Sequence, residues 1–141
     1  MRANQRLILE AAYTAWAEED LSLLGDCLHE NAVSLIHMPA GTWPMSGPLR
    51  GKRAVLGALA KVAQNFEVVE YRPLKMRGAG GIWACRARIH YGHRATGLSY
   101  EATIHNVWKI VGDKITSYEV VHDAAKLRAF FAMVNRVDIK A

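Results

Sequence analysis

The chain has 141 residues, of which 51% are apolar and 22% charged, and its formal net charge is +5. This length and composition predict a single domain, residues 1–141, and exclude wholesale disorder, collagen and coiled coils. The basic residues are spread along the chain and are not gathered in one stripe with aromatic residues, which argues against a nucleic-acid partner.

The first two elements are predicted to be helices. Asn4 caps the first helix, which ends near Glu19, and Asp20 caps the second, which Asn31 closes. An extended run, VSLIHMP, follows and stops at Pro39. Each helix has one apolar face, formed by Leu9, Ala12, Tyr13 and Trp16 in the first and by Leu21, Leu24 and Leu28 in the second.

A loop rich in glycine and proline, AGTWPMSGPLRG, covers residues 40–51. Because it contains Trp43 and Met45, which an idle surface loop does not need, we expect it to fold over an apolar site. Helical spacing returns from Lys52 to Gln64. Four extended runs follow, FEVVEYRPLKMR, IWACRARIHYGH, LSYEATIHNVWKIV and KITSYEVVH, and Asp123 caps a final helix.

Helices ahead of consecutive antiparallel strands predict an α+β fold in which a sheet curls over the helices. The run LSYEATIHNVWKIV shows the clearest alternation of apolar and polar residues. Asn106 is the one polar member of its apolar face, so it needs a partner inside the protein and is predicted to line a cavity. The predicted buried face consists of Tyr100, Ala102, Ile104, Asn106, Trp108 and Ile110.

Three local patterns carry a family resemblance: VSLIHMPAGTWPMSGPLRGKRAVL, YEATIHNVWKI followed by GDKI, and YEVVHDAAKL. Together with the order of elements, they resemble the NTF2-like superfamily and its SnoaL-like group, which includes ketosteroid isomerase, scytalone dehydratase, limonene epoxide hydrolase and polyketide cyclases. The resemblance covers nearly the whole chain. It implies a cone-shaped half-barrel around a deep apolar pocket, in a homodimer that pairs the convex sheet faces.

The first strand offers one candidate site residue, His37. The alternation in VSLIH puts His37 on the same side as Val33 and Leu35, which we expect to face inward. By resemblance to limonene epoxide hydrolase, a polar residue here helps to position water. A buried histidine bonded to the backbone is the alternative interpretation.

The last strand offers Tyr118 and His122 on the face that we expect to turn inward. By resemblance, Val120 stands where limonene epoxide hydrolase has a carboxylate, and a valine cannot act as a base. If the opposite face turned inward, Glu119 would become the candidate base. The two faces are Thr116, Tyr118, Val120 and His122 on one side, and Ser117, Glu119, Val121 and Asp123 on the other.

The run IWACRARIHYGH is expected to turn its apolar residues inward and its basic residues to the convex side. The apolar set is Trp83, Cys85, Ala87, Ile89 and Tyr91, and the basic set is Arg86, Arg88 and His90. Limonene epoxide hydrolase has an inward Arg-x-Asp on the equivalent strand. That resemblance keeps Arg88 and His90 as ligand-binding candidates, which a bulge in the strand would turn inward.

These observations predict a small-molecule pocket protein. The resemblance implies a cofactor-free isomerase, dehydratase or cyclase that acts on an apolar carbonyl or hydroxyl compound, and a noncatalytic ligand-binding or dimerisation module is the alternative. The predicted catalytic residues are His37, His122 and Tyr118, since a neutral imidazole with a pKa of about 6.5 can act as a base at neutral pH. The predicted ligand-binding residues are Tyr13, Trp16, Leu35, Trp43, Met45, Arg88, His90, Asn106, Trp108 and Val120.

The same sequence bears on compartment and cofactors. No apolar stretch reaches the roughly 18 residues of a membrane span, and the first ten residues lack a signal-peptide core, so we expect a cytoplasmic protein. Cys27 and Cys85 stand in no zinc-binding spacing and are predicted to be reduced and structural. Without a glycine-rich phosphate loop, a Ser-His-Asp order or an HExxH motif, the sequence predicts no cofactor and no metal.

Overall fold

The computed structural model describes residues 2–37 and 47–140, which form an α+β fold with a six-stranded curved sheet. This confirms the predicted fold class. Two predicted ligand-binding residues, Trp43 and Met45, lie outside the described residues. The helices are α1 (Arg2–Ala17), α2 (Leu21–Cys27), α3 (Lys52–Asn65) and α4 (Ala124–Lys140). The strands are β1 (Leu28–His37), β2 (Gly47–Arg50), β3 (Phe66–Ala79), β4 (Ile82–His93), β5 (Ser99–Val111) and β6 (Lys114–Val121).

Two of the three predicted helix caps are present. The carboxylate of Asp20 accepts a hydrogen bond of 3.0 Å from the backbone N–H of Leu23. Asp123 accepts one of 3.1 Å from the backbone N–H of Lys126. Both carboxylates satisfy an N–H that would otherwise lack a partner in the first helical turn. The predicted cap at Asn4 is wrong, because α1 begins at Arg2 and Asn4 already lies inside the helix.

The sheet has the order β2-β1-β6-β5-β4-β3. All neighbouring strands are antiparallel except β1 and β6, which are parallel. The sequence does not predict β2, whose Pro48 and Arg50 pair with β1 at the end of the glycine-rich and proline-rich loop. The first and last strands in sequence, β1 and β6, are therefore neighbours in the sheet.

The inner face of the sheet packs against the helices and forms the core. The alternation predicted for β5 is confirmed, since every second residue from Tyr100 to Ile110 is buried. Packing against the sheet comes from α1, which contacts β3, and from α3, which contacts β1. In the part of the chain that the structure describes, no helix is long and apolar enough to span a bilayer.

Candidate functional site

A cavity of about 120 Å³ lies between the inner face of the sheet and the helices. Its wall is almost entirely aromatic and aliphatic, and the described residues put no carboxylate, lysine or arginine on it. All four helices and five of the strands contribute residues to it. The residues that line it are Ala12, Tyr13, Trp16, Leu24, Leu28, Ile36, Leu59, Val62, Phe66, Tyr71, Ile89, Tyr91, Tyr100, Ile104, Trp108, Tyr118, Val120, His122, Leu127, Phe130 and Phe131.

One chain of hydrogen bonds connects β5, α1 and β3 through residues of this wall and the buried Asn106. The indole N–H of Trp108 donates to the Tyr13 hydroxyl at 3.1 Å. The Tyr13 hydroxyl donates to Asn106 Oδ1 at 2.9 Å, and Asn106 Nδ2 donates to the Tyr71 hydroxyl at 3.4 Å. Asn106 is 1% exposed, so these partners satisfy the one polar side chain of the buried face of β5.

A second, shorter chain joins α1 to β4. The indole N–H of Trp16 donates to the Tyr91 hydroxyl at 2.7 Å. The rings of Tyr71 and Tyr91 are neighbours, with centroids 6.4 Å apart and planes at 64°. Burial raises the pKa of both phenols, so both keep their protons at neutral pH. The cavity wall therefore carries two neutral phenol groups beside each other.

His122 is the ionisable base on the cavity wall. It directly follows β6, and its Nδ1 is buried with no hydrogen-bond partner among the described residues. Burial lowers the pKa of His122 to about 4, because the charged imidazolium loses its hydration without gaining a carboxylate. The imidazole is thus neutral at physiological pH and can accept a proton.

Tyr118 and Val120 lie on the same wall as His122, as the alternation in β6 predicts. The Tyr118 ring stacks on the indole of Trp108, with centroids 5.1 Å apart and planes at 26°. Burial raises the pKa of the Tyr118 phenol, so it is a proton donor rather than a phenolate. Glu119 points away from the cavity, and the alternative in which it is the inward base is wrong.

The predicted inward orientation of His37 and Leu35 is wrong. His37 lies on the outer face of the sheet, where its Nε2 is 2.6 Å from a carboxylate oxygen of Glu119 and both side chains are about half exposed. Leu35 borders a shallow groove on the same outer face. The inward residues of β1 are its alternates, Ser34 and Ile36.

The parallel pairing of β1 with β6 explains this reversal. Ser34 lies opposite Tyr118, and Ile36 lies opposite Val120. Residues that pair across two strands share a face, so the inward direction of β6 fixes the inward set of β1. The sequence of β1 is ambiguous, because Leu35 and Ile36 put apolar side chains on both faces.

Arg88 and His90 lie on the outer face of the sheet, as the alternation in β4 predicts. The inward position that the family resemblance implies for them is wrong. Arg88 Nη2 is 3.2 Å and His90 Nδ1 is 3.6 Å from Oε1 of Glu101 on β5. Arg88 also lies 3.9 Å from Glu70 on β3. These contacts place both candidates in a surface charge cluster away from the cavity.

Neither Tyr71 nor Tyr91 is predicted from the sequence as a site residue. Alternation from Phe66 and Val68 would turn Tyr71 outward, but the register of β3 against β4 shifts between Val68 and Glu70. That bulge moves Tyr71 to the inner side. Tyr91 does belong to the predicted inward set of β4, so its position in the cavity could be read from alternation.

The described residues hold no group of three His, Cys, Asp or Glu side chains close enough to bind a metal ion. Cys27 and Cys85 are both buried and free. Burial raises the pKa of each thiol, which keeps them protonated and poor as nucleophiles. Among the described residues, the polar groups that line the cavity are phenols, two indoles and one imidazole, and the predicted lining residue Asn106 is not one of them.

Comparison with known proteins identifies relatives by fold. Residues 9–118 match the family model of the SnoaL-like domain. TerC co-crystallised with polyporic acid has a TM-score of 0.79 at 14% identity, over 92% of this chain and 98% of that chain. IdmH of Streptomyces antibioticus, a proposed polyketide cyclase, has a TM-score of 0.73 at 20% identity, over 91% and 98%.

A third solved structure is a protein with a ketosteroid isomerase-like fold from Catenulispora acidiphila, in complex with trimethylamine. Its TM-score is 0.75 at 16% identity, over 89% of this chain and 92% of that chain. A comparison with curated proteins finds no significant match. At these identities the solved structures establish a shared fold.

Proposed function

Because the chain belongs to the SnoaL-like domain family, we propose that its cavity binds a small, uncharged, mostly apolar molecule that bears a carbonyl or hydroxyl group. We further propose that the protein converts this molecule by moving a proton, without a cofactor. The result would be an isomerisation, a dehydration or a cyclisation. IdmH, which shares the fold, is a proposed polyketide cyclase.

The composition of the cavity wall supports an uncharged ligand. A charged group moved into this wall would lose its hydration and find no opposite charge among the described lining residues. The rings of Tyr13, Trp108 and Tyr118 supply large apolar surfaces instead. A flat or partly unsaturated carbon skeleton fits such a wall.

His122 supports proton transfer and carries the proposal. Its side chain lies on the cavity wall and its buried Nδ1 has no partner among the described residues, so we take this imidazole as the group that meets the ligand. In the proposed step, the neutral imidazole takes a proton from the carbon beside a carbonyl, the electron pair of that C–H bond forms a C=C bond, and the π pair of the carbonyl moves to its oxygen. A phenol stabilises the resulting enolate by hydrogen bonding. If the enolate is conjugated with a further C=C bond, the imidazolium returns the proton to the far carbon and gives an isomer. If the substrate carries a β-hydroxyl, the enolate expels it, the imidazolium supplies its proton, and water leaves.

The low pKa of His122 limits the substrates that it can deprotonate. With a pKa lowered to about 4, the imidazole is fully available at neutral pH but is a weak base. The C–H bond must therefore be acidified, by a second carbonyl group or by an aromatic ring beside it.

A ketone with benzylic α-protons tests this activity directly. In deuterated buffer, the C1 protons of 2-tetralone exchange at a rate that proton NMR measures. We expect the protein to accelerate this exchange and His122→Gln to reduce the acceleration by about 10²-fold or more. The matched control is His105→Gln, which changes an exposed histidine on β5 and should leave the rate unchanged. Equal rates for wild type and His122→Gln would rule out the catalytic role.

A noncatalytic binding protein is the second candidate, and the low pKa of His122 favours it. In that case wild type and His122→Gln would both bind 2-tetralone, and neither would accelerate its exchange. Isothermal titration calorimetry on the same samples separates the two functions, because it measures binding whether or not exchange follows.

We also propose that the outer face of the sheet pairs two copies of the chain. This face exposes apolar side chains, among them Ile82, Val107 and Val121, next to the groove that contains Leu35. Light scattering of wild type and Val107→Asp tests it, because a buried carboxylate would weaken the contact. A dimer that dissociates in the variant supports this pairing, and a wild-type monomer contradicts it.

A further inference from the structure

The two hydrogen-bond chains of the cavity wall both end at a tyrosine hydroxyl. One runs from Trp108 through Tyr13 and Asn106 to Tyr71, and the other runs from Trp16 to Tyr91. Tyr13 and Trp16 are three residues apart and lie on the same face of α1. Since the terminal rings of Tyr71 and Tyr91 are also neighbours, both chains end in the same part of the cavity.

The direction of each chain follows from the chemistry of its donors. An indole can donate a hydrogen bond but cannot accept one, so the Tyr13 hydroxyl accepts from Trp108 and its own proton goes to the Asn106 carbonyl. The Asn106 NH₂ group is then turned toward Tyr71, whose oxygen accepts. In the same way, the Tyr91 oxygen accepts from the indole of Trp16.

Each terminal hydroxyl therefore keeps a proton to donate. Neither Tyr71 nor Tyr91 donates to an acceptor among the described residues, although both border the cavity. A phenol that already accepts a hydrogen bond is also a stronger donor, because hydrogen bonds in a chain polarise one another.

We propose that Tyr71 and Tyr91 form a pair of specificity-determining donors that binds the carbonyl oxygen of the ligand and discriminates against molecules of the same shape that offer no hydrogen-bond acceptor. This inference rests on the proposed function, because it assumes that the cavity is the binding site. Asn106 acts as a positioning residue, since it touches Tyr71 and Tyr13 and directs the Tyr71 proton into the cavity. Binding sites of this kind reject an analogue that lacks the matching group, because the buried polar groups then stay unpaired.

A ketone and its parent hydrocarbon test the donor pair. 2-Tetralone and tetralin have nearly the same shape and differ in one carbonyl oxygen. We expect calorimetry to show that wild type prefers the ketone, and that Tyr71→Phe and Tyr91→Phe each reduce its affinity by about 5- to 10-fold, as for one hydrogen bond. Tetralin affinity should stay the same in both variants.

The control variant is Trp83→Phe. It removes the hydrogen bond of 3.1 Å from an indole to Gln5, and Trp83 is not among the residues that line the cavity. We expect its ketone preference to equal that of wild type. The donor pair would be overturned if Tyr71→Phe and Tyr91→Phe reduced the affinities for ketone and hydrocarbon equally. It would also be overturned if neither variant changed the affinity for the ketone.

Infrared spectroscopy gives a readout that a purely structural effect would not move. Hydrogen bonds from two phenols should shift the carbonyl stretch of bound 2-tetralone to lower frequency, and Tyr71→Phe should remove part of the shift. Asn106→Leu should also reduce the frequency shift, because the Tyr71 hydroxyl is then no longer oriented by the Asn106 amide. A wild-type shift no larger than in water contradicts the inference even if the ketone binds. If wild type binds neither compound, the proposed function is wrong and the donor pair falls with it.

Discussion

The Tyr13 hydroxyl on α1 donates a hydrogen bond of 2.9 Å to Asn106 Oδ1 on β5, across 93 positions of sequence. Both side chains are buried, with 2% and 1% of their surfaces exposed. This contact ties the first helix to the middle of the sheet. Because neither group can turn to water, loss of either partner leaves a buried polar group unsatisfied.

We therefore expect Asn106→Leu to lower the free energy of unfolding by about 2 to 3 kcal/mol, since it leaves the hydroxyls of Tyr13 and Tyr71 without their partner. Tyr13→Phe leaves the Asn106 carbonyl and the Trp108 indole N–H without their partner and should cost a similar amount. Urea denaturation of the two single variants and the double variant measures their coupling. Additive losses in this cycle would show that the bond makes no net contribution.

Stability should depend on pH through His122. Its pKa in the folded protein is about 4, against 6.5 for an ordinary histidine, so between these values the unfolded chain binds a proton that the folded chain does not. The free energy of unfolding is therefore fully maintained above pH 6.5 and falls toward pH 4, by about 3 kcal/mol at about 1.4 kcal/mol per pKa unit. In denaturation at pH 7 and pH 4.5, His122→Gln should lose less stability than wild type. The variant His105→Gln should follow wild type, and the same loss in all three proteins would exclude His122 as the source.

His37 should have no role in the reaction. Its imidazole lies on the outer face beside Glu119, with about half of each side chain exposed. We expect His37→Gln to exchange the protons of 2-tetralone at the wild-type rate and to lose at most about 1 kcal/mol of stability, as for an exposed ion pair. A large drop in exchange rate with unchanged stability would return His37 to the site.

The β3–β4 turn should tolerate substitution at one glycine and not at the next. Gly80 and Gly81 both have positive φ, of 59° and 82°. A Cβ on Gly81 would lie 2.6 Å from the carbonyl oxygen of Ile110, whereas nothing lies within 4 Å of a Cβ on Gly80. We expect Gly81→Ala to cost more than Gly80→Ala, which carries only the backbone penalty of about 1 kcal/mol. Thermal unfolding of both variants measures the difference, and equal midpoints would contradict it.

Strands β5 and β6 show how far alternation predicts this site. In β5, a single face carries nearly all the apolar side chains, so the inward position of Asn106 and Trp108 follows from the sequence. In β6, the same reasoning puts Tyr118 and His122 on the cavity wall, where the structure has them. Their roles as donor and base stay predictions.

The remaining errors have two physical causes. The inward set of β1 depends on its pairing with β6, a contact between residues more than 80 positions apart that periodicity does not report. The inward position of Tyr71 depends on a register shift in β3, which local alternation misassigns. In both strands, apolar residues occupy both faces, so a tertiary contact decides which face is buried.

The cavity wall takes residues from Ala12 near one end of the chain and from Phe131 near the other. No contiguous fragment contains the binding surface, so a ligand can bind only when distant segments are assembled. A molecule present at 100 times its dissociation constant would add about 2.7 kcal/mol to global stability. Globally protected amides would then exchange with solvent roughly a hundredfold more slowly, in every segment that opens only on complete unfolding. A thermal-shift screen of uncharged ketones would thus report a true ligand through the whole molecule, before any reaction is known.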